Sequence, residues 1–374
     1  MLTTRRANVT VVGAGIAGLT LATRLKQDNQ NATVVLIGPE DRRPQRISTW
    51  LDGKQEVPAV VESCIDKQWD AWVFRDSAGT PHTQRASTWH YNAIDGRRLK
   101  TQLEEGVELL GVHRVHEQCH GVNRTAVGYQ ILCDSETIFS DHLVDTRPPT
   151  IPSTTIKQQF VGHTIRCANP HQYSAPLLMD FSASSIANDG LTFIYCLPVS
   201  DHELLVEATT FSPSLHAHAD YEACINQWLT TNLPTNAYKH IETESGILPM
   251  GPTKPIDATL VRCGIAGGAA RASTGYAWHG THRQISKLTT AFSRTGELSS
   301  VQAYSDRARL MDILFLRVLR HQPEAAHNLF IAMAQHLPGD TLAQFLCDEG
   351  GWGPCLHTII AAPKWPFIHA LWRT

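Results

Sequence analysis

Close to its start the chain reads VTVVGAGIAGLTLATRL, and this stretch restricts the fold more than any other. Val9–Val12 is β-branched and apolar, which suits a strand buried in a parallel sheet. Gly13, Gly15 and Gly18 follow in the spacing G-x-G-x-x-G. In that spacing the first glycine permits a tight turn. The second lets the backbone approach a pyrophosphate, and the third lets the helix pack closely on the strand. Leu19 to Leu25 continues as a helix whose first amides face the phosphates. A second apolar strand, ATVVLIG, comes at the distance expected of a βαβ unit. A secretion signal accounts for the stretch poorly. Arg5 and Arg6 precede the apolar run, but glycines interrupt it and no small-residue cleavage site follows.

One position is off pattern. The second strand of such a unit usually ends in Asp or Glu, which binds the ribose hydroxyls; here it ends in Gly38. Glu40 or Asp41 is expected to substitute from two or three residues later, or Arg42 and Arg43 to contact phosphate. The alternative is a solvated charged loop.

Composition removes several classes. Charged residues make up 18% of 374 and the net charge is -3, with no basic tract, so no nucleic-acid partner is expected. Nine cysteines are scattered and never form C-x-x-C, which fits a reducing, cytoplasmic setting with neither a disulfide framework nor a zinc site. Nineteen histidines include no H-E-x-x-H, and no metal is expected. No run of about twenty apolar residues is present, so no membrane-spanning helix is expected.

Farther along, residues 70–95 read as strand and loop and 95–110 as a helix. An apolar strand then stops at Asp145, Thr146, Arg147 and two prolines. TFIYCLPVS and ELLVEATTFS flank the turn-prone Ser200-Asp201-His202, a hairpin signal. A helix is expected over 219–232, glycines return at 264–280, and the chain from 301 onward reads as mostly helical. The expected architecture is mixed α/β. A Rossmann-like dinucleotide-binding domain (1–75, 95–150 and 246–300) is interrupted by a mostly antiparallel β-sheet substrate domain (76–94 and 151–245) and followed by a helical C-terminal region (301–374).

Segments along nearly the whole chain resemble the bacterial and plant lycopene cyclase family, within the flavoproteins built like p-hydroxybenzoate hydroxylase. They are VVGAGIAGL, STW at 48–50, YNAIDGRRL at 91–99, VDTRPP, QQFVGHTI, LLMDF, FIYCLPVSDHELLVEATTFS, ESGILPM, GGAARASTGYA and the helical tail. The resemblance implies FAD, active when reduced, in the glycine cradle, with NADPH or NADH as reductant. It implies a redox-neutral cyclisation of a linear polyene, lycopene foremost, to β-type rings. An alkene is protonated, a neighbouring alkene attacks the cation, and a proton is lost.

That chemistry needs an acid that stays protonated in a dry pocket. Glu207, in the apolar strand LLVEATT, matches the family's glutamate and is the expected acid and base; from pattern alone a strand glutamate paired with an arginine is as good a reading. The segment departs from the plant version, which has adjacent glutamates. Glu203, Leu205 and Glu207 share one strand face. Glu203 stands about 13 Å from Glu207, too far for a close pair. Tyr195, Tyr276 and Trp278 are candidates to face a cation, or simply core residues. Thr274, Gly275, Tyr276 and Gly267 are expected near the flavin, with ASTGYA placing backbone amides against the ring. Asp145 and Arg147 are expected near the nucleotide, or as a strand-end salt bridge. In the tail, Trp365, Phe367 and Trp372 beside Lys364 and Arg373 suit a helix lying on a bilayer, or one packed on the protein's own core. Rival functions on the same fold are an oxygen-using hydroxylase, epoxidase or halogenase, a non-catalytic carrier, and a cyclase of another isoprenoid. A halogenase-type W-x-W-x-I-P is absent, WDAWVF having the wrong spacing.

Overall fold

The computed structural model describes all residues except 1–2, 42, 44, 234–237 and 373–374. Strand Thr3–Val12 lies central in a seven-stranded sheet, parallel to Val34–Ile37 on one side and Glu136–Asp145 on the other. Its inner residues Val9, Val11 and Val12 are fully buried, as a strand covered on both faces requires. The helix Ile16–Asp28 starts directly after the glycine turn and buries Gly18, Leu19, Leu21, Ala22 and Leu25. The turn is as tight as the spacing predicts. Gly13 has φ +110°, and a Cβ on Gly18 would stand 1.9 Å from the Gly13 carbonyl oxygen. Gly38 has a similar cause: a Cβ there would stand 2.6 Å from the Ala14 amide nitrogen, so the usual acidic side chain has no room.

A second, larger sheet runs Tyr238–Met250, Ile156–Cys167, Glu203–Ser212, Leu191–Pro198, Leu177–Asp180, Ala71–Arg75, Pro81–Arg85. All its pairs are antiparallel except Leu177–Asp180 with Ala71–Arg75. The expected hairpin closes at 199–202, where the Val199 amide donates to the Glu203 carbonyl at 2.9 Å. Arg46–Asp52, Trp89–Asp95 and Ile65–Trp69 form a small sheet of their own. Two expected boundaries therefore fall inside structural units: Ala71–Arg75 pairs in the large sheet although it precedes residue 76, and Tyr238–Met250 continues that sheet past residue 245.

Helix Gly96–Leu109 begins where Asp95 accepts from the Arg97 and Arg98 amides, an N-cap satisfying two donors of the first turn. Helix His218–Asn232 buries Tyr221, Ile225 and Trp228 against one face of the large sheet. From 306 onward five helices follow, Asp306–His321, Pro323–His336, Gly339–Cys347, Trp352–Ala361 and Lys364–Trp372. Phe315, Leu319, Leu329, Met333 and Leu346 from this region join Phe193, Leu205 and Phe211 of the large sheet in one core cluster. The tail thus closes the other face of that sheet. A buried Arg271–Asp312 ion pair at 3.1 Å ties the glycine-rich loop to it.

Because Gly18 meets backbone, Gly18→Ala is expected to cost about 3 kcal/mol through overpacking. Denaturant unfolding checks this; an unchanged midpoint would contradict the packing described.

Candidate active site

A cavity of about 590 Å³ runs from the glycine turn to the large sheet, with the tail helices as part of its wall. Gly15 caps the first helix at the nucleotide end, and a Cβ there would meet nothing within 4 Å. The helix-start amides therefore open on unfilled space, as a phosphate cradle requires. Two buried polar atoms of residues lining the cavity, Trp50 Nε1 and Gln158 Oε1, have no hydrogen-bond partner among the described residues. Buried polar atoms are rarely left so, and both suit a polar ligand. The open cradle and these two atoms fit a flavin dinucleotide.

At the far end stands Glu207. Strand alternation sends Leu205, Glu207 and Phe211 into the cavity, while Leu204, Val206 and Ala208 pack on the opposite face. Tyr195 is paired directly across from Glu207 on one neighbouring strand, and Gly162 on the other. Gly162 is in turn paired with Glu244 on the next strand. Tyr195, Glu207, Gly162 and Glu244 thus form one row across four strands. The Thr209 hydroxyl donates to Glu207 Oε1 at 2.6 Å. Burial pushes the Glu207 carboxyl up to about 8, the Glu244 charge adds to the rise, and the Thr209 hydroxyl opposes it. Burial also raises Glu244, to about 7, against the lowering effect of the Arg46 amide, which donates to its Oε2 at 2.9 Å. No arginine pairs with Glu207 among the described contacts. Glu203 is the arginine-paired member, held by Arg166.

The walls are aromatic. The Tyr91 hydroxyl lies 2.9 Å from that of Tyr195 and 3.3 Å from that of Tyr276. Trp50 packs on Tyr91 and Tyr276 with ring centroids 4.7 and 5.3 Å away. Its backbone carbonyl lies 2.7 Å from His279 Nε2. Burial holds all three tyrosines well above their ordinary range, so the cluster is neutral. His282, also in the wall, is pushed down to about 4 by burial and is likewise neutral at pH 7.

Of the residues singled out from sequence, Gly15, Tyr195, Glu207, Thr274, Gly275, Tyr276 and Trp278 line the cavity. Gly13 and Gly18 shape the turn behind it. Asp145 and Arg147 do not line it; they form the strand-end ion pair, 2.8 Å apart, and Thr146 between them faces the cavity. Gly267 lies in a short helical turn where a Cβ would press on the Arg262 carbonyl. Glu40 is exposed, with His116 Nδ1 3.9 Å away, and Asp41 is paired with Arg43 at 2.7 Å. Arg43 itself reaches the cavity lining; Arg42 and Arg373 lie outside the described residues. The amides of Thr274 and Gly275 are taken by the Arg271 carbonyl. Helix Trp278–Thr295 starts three residues later than Gly275, and its first-turn amides are the ones left without an intrahelical carbonyl. Sequence reasoning missed Glu244, Tyr91 and Trp50 as site residues. All three lay in stretches that carried the family resemblance, but bringing them together takes pairing of strands far apart in the chain, Trp50 with Tyr91 and Gly162 with Glu244, and the packing of two separate sheets.

A model of the family "Lycopene cyclase protein" matches residues 8–350. A lycopene beta-cyclase of Pantoea ananas is 26% identical, with 96% of each chain aligned. A chloroplastic lycopene beta cyclase of an Oncidium hybrid is 27% identical over 72% of this chain, and the match spans 60% of that protein's length. Among solved structures, a geranylgeranyl bacteriochlorophyll reductase-like protein of Thermoplasma acidophilum superposes with a TM-score of 0.62 at 14% identity, covering 99% of this chain and 96% of that one. A flavin-dependent brominase does so with 0.61 at 10% identity, covering 95% and 98%. The fold is that of FAD-binding, Rossmann-type flavoproteins, and the chain belongs to the lycopene cyclase family.

Proposed function

We propose that the chain is a flavin-dependent, redox-neutral cyclase of linear polyenes, with lycopene as substrate and β-type rings as product. The observation that carries this reading is Glu207, a carboxyl 9% exposed, protonated at pH 7 and enclosed by aromatic rings in the cavity that begins at the glycine cradle.

FAD would be held by the Gly13–Gly18 turn and the Thr274–Tyr276 loop, with NADPH or NADH as reductant. When bound, a reduced flavin would supply an electron-rich ring able to stabilise positive charge. The protein's own part is proton handling and exclusion of water. The Glu207 carboxyl gives its proton to a terminal alkene, whose π electrons form the new C–H bond. The tertiary cation left behind is attacked by a neighbouring alkene, closing a six-membered ring. Glu207, now a carboxylate, takes the proton whose loss sets the ring double bond. Tyr195, Tyr276, Tyr91 and Trp50 offer π faces that stabilise a cation without trapping it covalently. Burial keeps the acid filled and the cation away from water.

The substrate is insoluble in water, and the tail supports a membrane-surface reading. Trp352, Leu356, Ile360, Trp365 and Trp372 are more than half exposed on its last two helices. Among the described residues no helix is long and apolar enough to cross a bilayer. Contact would therefore be peripheral.

Three outcomes are expected. Under nitrogen with lycopene-loaded liposomes, FAD and NADPH, the protein yields a less conjugated isomer of unchanged mass. Glu207→Gln loses this by about a thousandfold or more while keeping FAD; a product that gains oxygen, or an active Glu207→Gln, overturns the reading. Because the acid must be protonated, activity is held below about pH 8 and falls as pH rises through it; an activity that rises there contradicts the assignment. Trp365→Glu with Trp372→Glu lowers co-flotation with liposomes about tenfold, and unchanged flotation removes the tail from the contact.

A further inference from the structure

The mechanism above uses one carboxyl, yet the cavity contains two. Glu207 and Glu244 sit on strands that are not neighbours, separated by Ile156–Cys167. The residue of that strand paired with both is Gly162. A Cβ at Gly162 would stand 3.5 Å from Glu207 Cβ and 3.4 Å from Glu244 Cγ. The glycine thus leaves open the space between the two side-chain stems, and both carboxyls face the same cavity. Their hydrogen bonds differ in kind. Glu244 accepts from a backbone amide, which favours its anion, at the edge of the site beside Arg46. Glu207 has a single hydroxyl donor on Oε1.

We propose that Glu244, facing Glu207 across Gly162, is the positioning residue that keeps the reactive proton on Glu207: the pair shares one proton, with the negative charge on the Glu244 side. This rests on the cyclase reading for its purpose, but not for its existence as a coupled pair. Repulsion from the Glu244 anion keeps Glu207 filled at neutral pH. After Glu207 has released its proton to the alkene, two carboxylates face one another, and Glu207 is the stronger base for the proton lost from the ring. Atoms and electrons balance with no further reactant.

The other titratable or charged groups around the pair are accounted for. Glu203 and Glu242, farther along the two strands, are bound to Arg166 and Arg97. Arg46 and Arg43 are bound to Asp66 and Asp41. Tyr195, Tyr91 and Tyr276 stay neutral through the working range, as does His282 above about pH 4. His163, next to Gly162, packs instead on His240. Burial raises the carboxyls of Glu207 and Glu244 to about 8 and about 7.

The test uses the FAD-loaded protein. In a substrate-free infrared titration, the protonated-carboxyl band that disappears in Glu207→Gln should have its midpoint lowered by about one pH unit or more in Glu244→Gln. Glu244→Asp should restore part of that shift. In turnover, the alkaline limb of the Glu244→Gln pH profile should move down by the same amount, a roughly tenfold loss at a fixed alkaline pH relative to the variant's own acid plateau. A Glu207 band whose midpoint does not move, or an alkaline limb that coincides with wild type, overturns the pair. Failure of the wild-type protein to cyclise any polyene would instead strike the cyclase reading, and the infrared arm would still decide the pair.

Discussion

Desolvation of one carboxyl is the constraint around which this molecule is arranged. A glutamate placed mid-strand in an apolar cavity is costly when ionised, and the cheaper state is the protonated one. Keeping it so takes contributions from every part of the chain. The large sheet supplies the strand and the Thr209 hydroxyl. The small sheet supplies Trp50 and Tyr91. The loop before helix Trp278–Thr295 supplies Tyr276, and the tail closes the face that would otherwise admit water. The cavity is shared, so the nucleotide end and the acid end cannot be assembled independently. The contact between Gly13 and Gly18 fixes where the cradle opens.

Local signals were legible in the sequence. The glycine spacing, the β-branched strand before it and the Ser200–His202 turn each act within a few residues, and each appears where the spacing puts it. Alternation along LLVEATT correctly put Leu205 and Glu207 on one face and Val206 and Ala208 on the other. What was not legible depends on pairing between distant strands. Glu244 comes to Glu207 only because Ile156–Cys167 runs antiparallel to two partners, with Gly162 aligned to both. Nothing in ESGILPM announces that register. Asp145 and Arg147 illustrate a different limit. Their position at a strand end was read rightly, but two residues of opposite charge at that spacing satisfy each other.

The tail divides between buried and exposed apolar residues. Its inner residues, Phe315, Leu329, Met333 and Leu346, are core. Its outer residues, Trp352, Ile360 and Trp365, are exposed and apolar. The buried residues lie on the helices between 306 and 347 and the exposed ones on the last two, 352–361 and 364–372; exposed apolar residues grouped in this way mark a contact surface. For the lipid-soluble polyene proposed as substrate, a bilayer surface is the contact that fits them.

The central claim is that catalysis begins with a proton delivered to an alkene and ends with a different one removed. The most direct measurement is mass analysis of product formed from lycopene in deuterium oxide, under nitrogen, by the FAD-loaded protein. In a single turnover of deuterium-exchanged protein, the account predicts one deuterium retained in the ring first closed, at a carbon of that ring, with no oxygen gained. A cyclised product free of deuterium would contradict it.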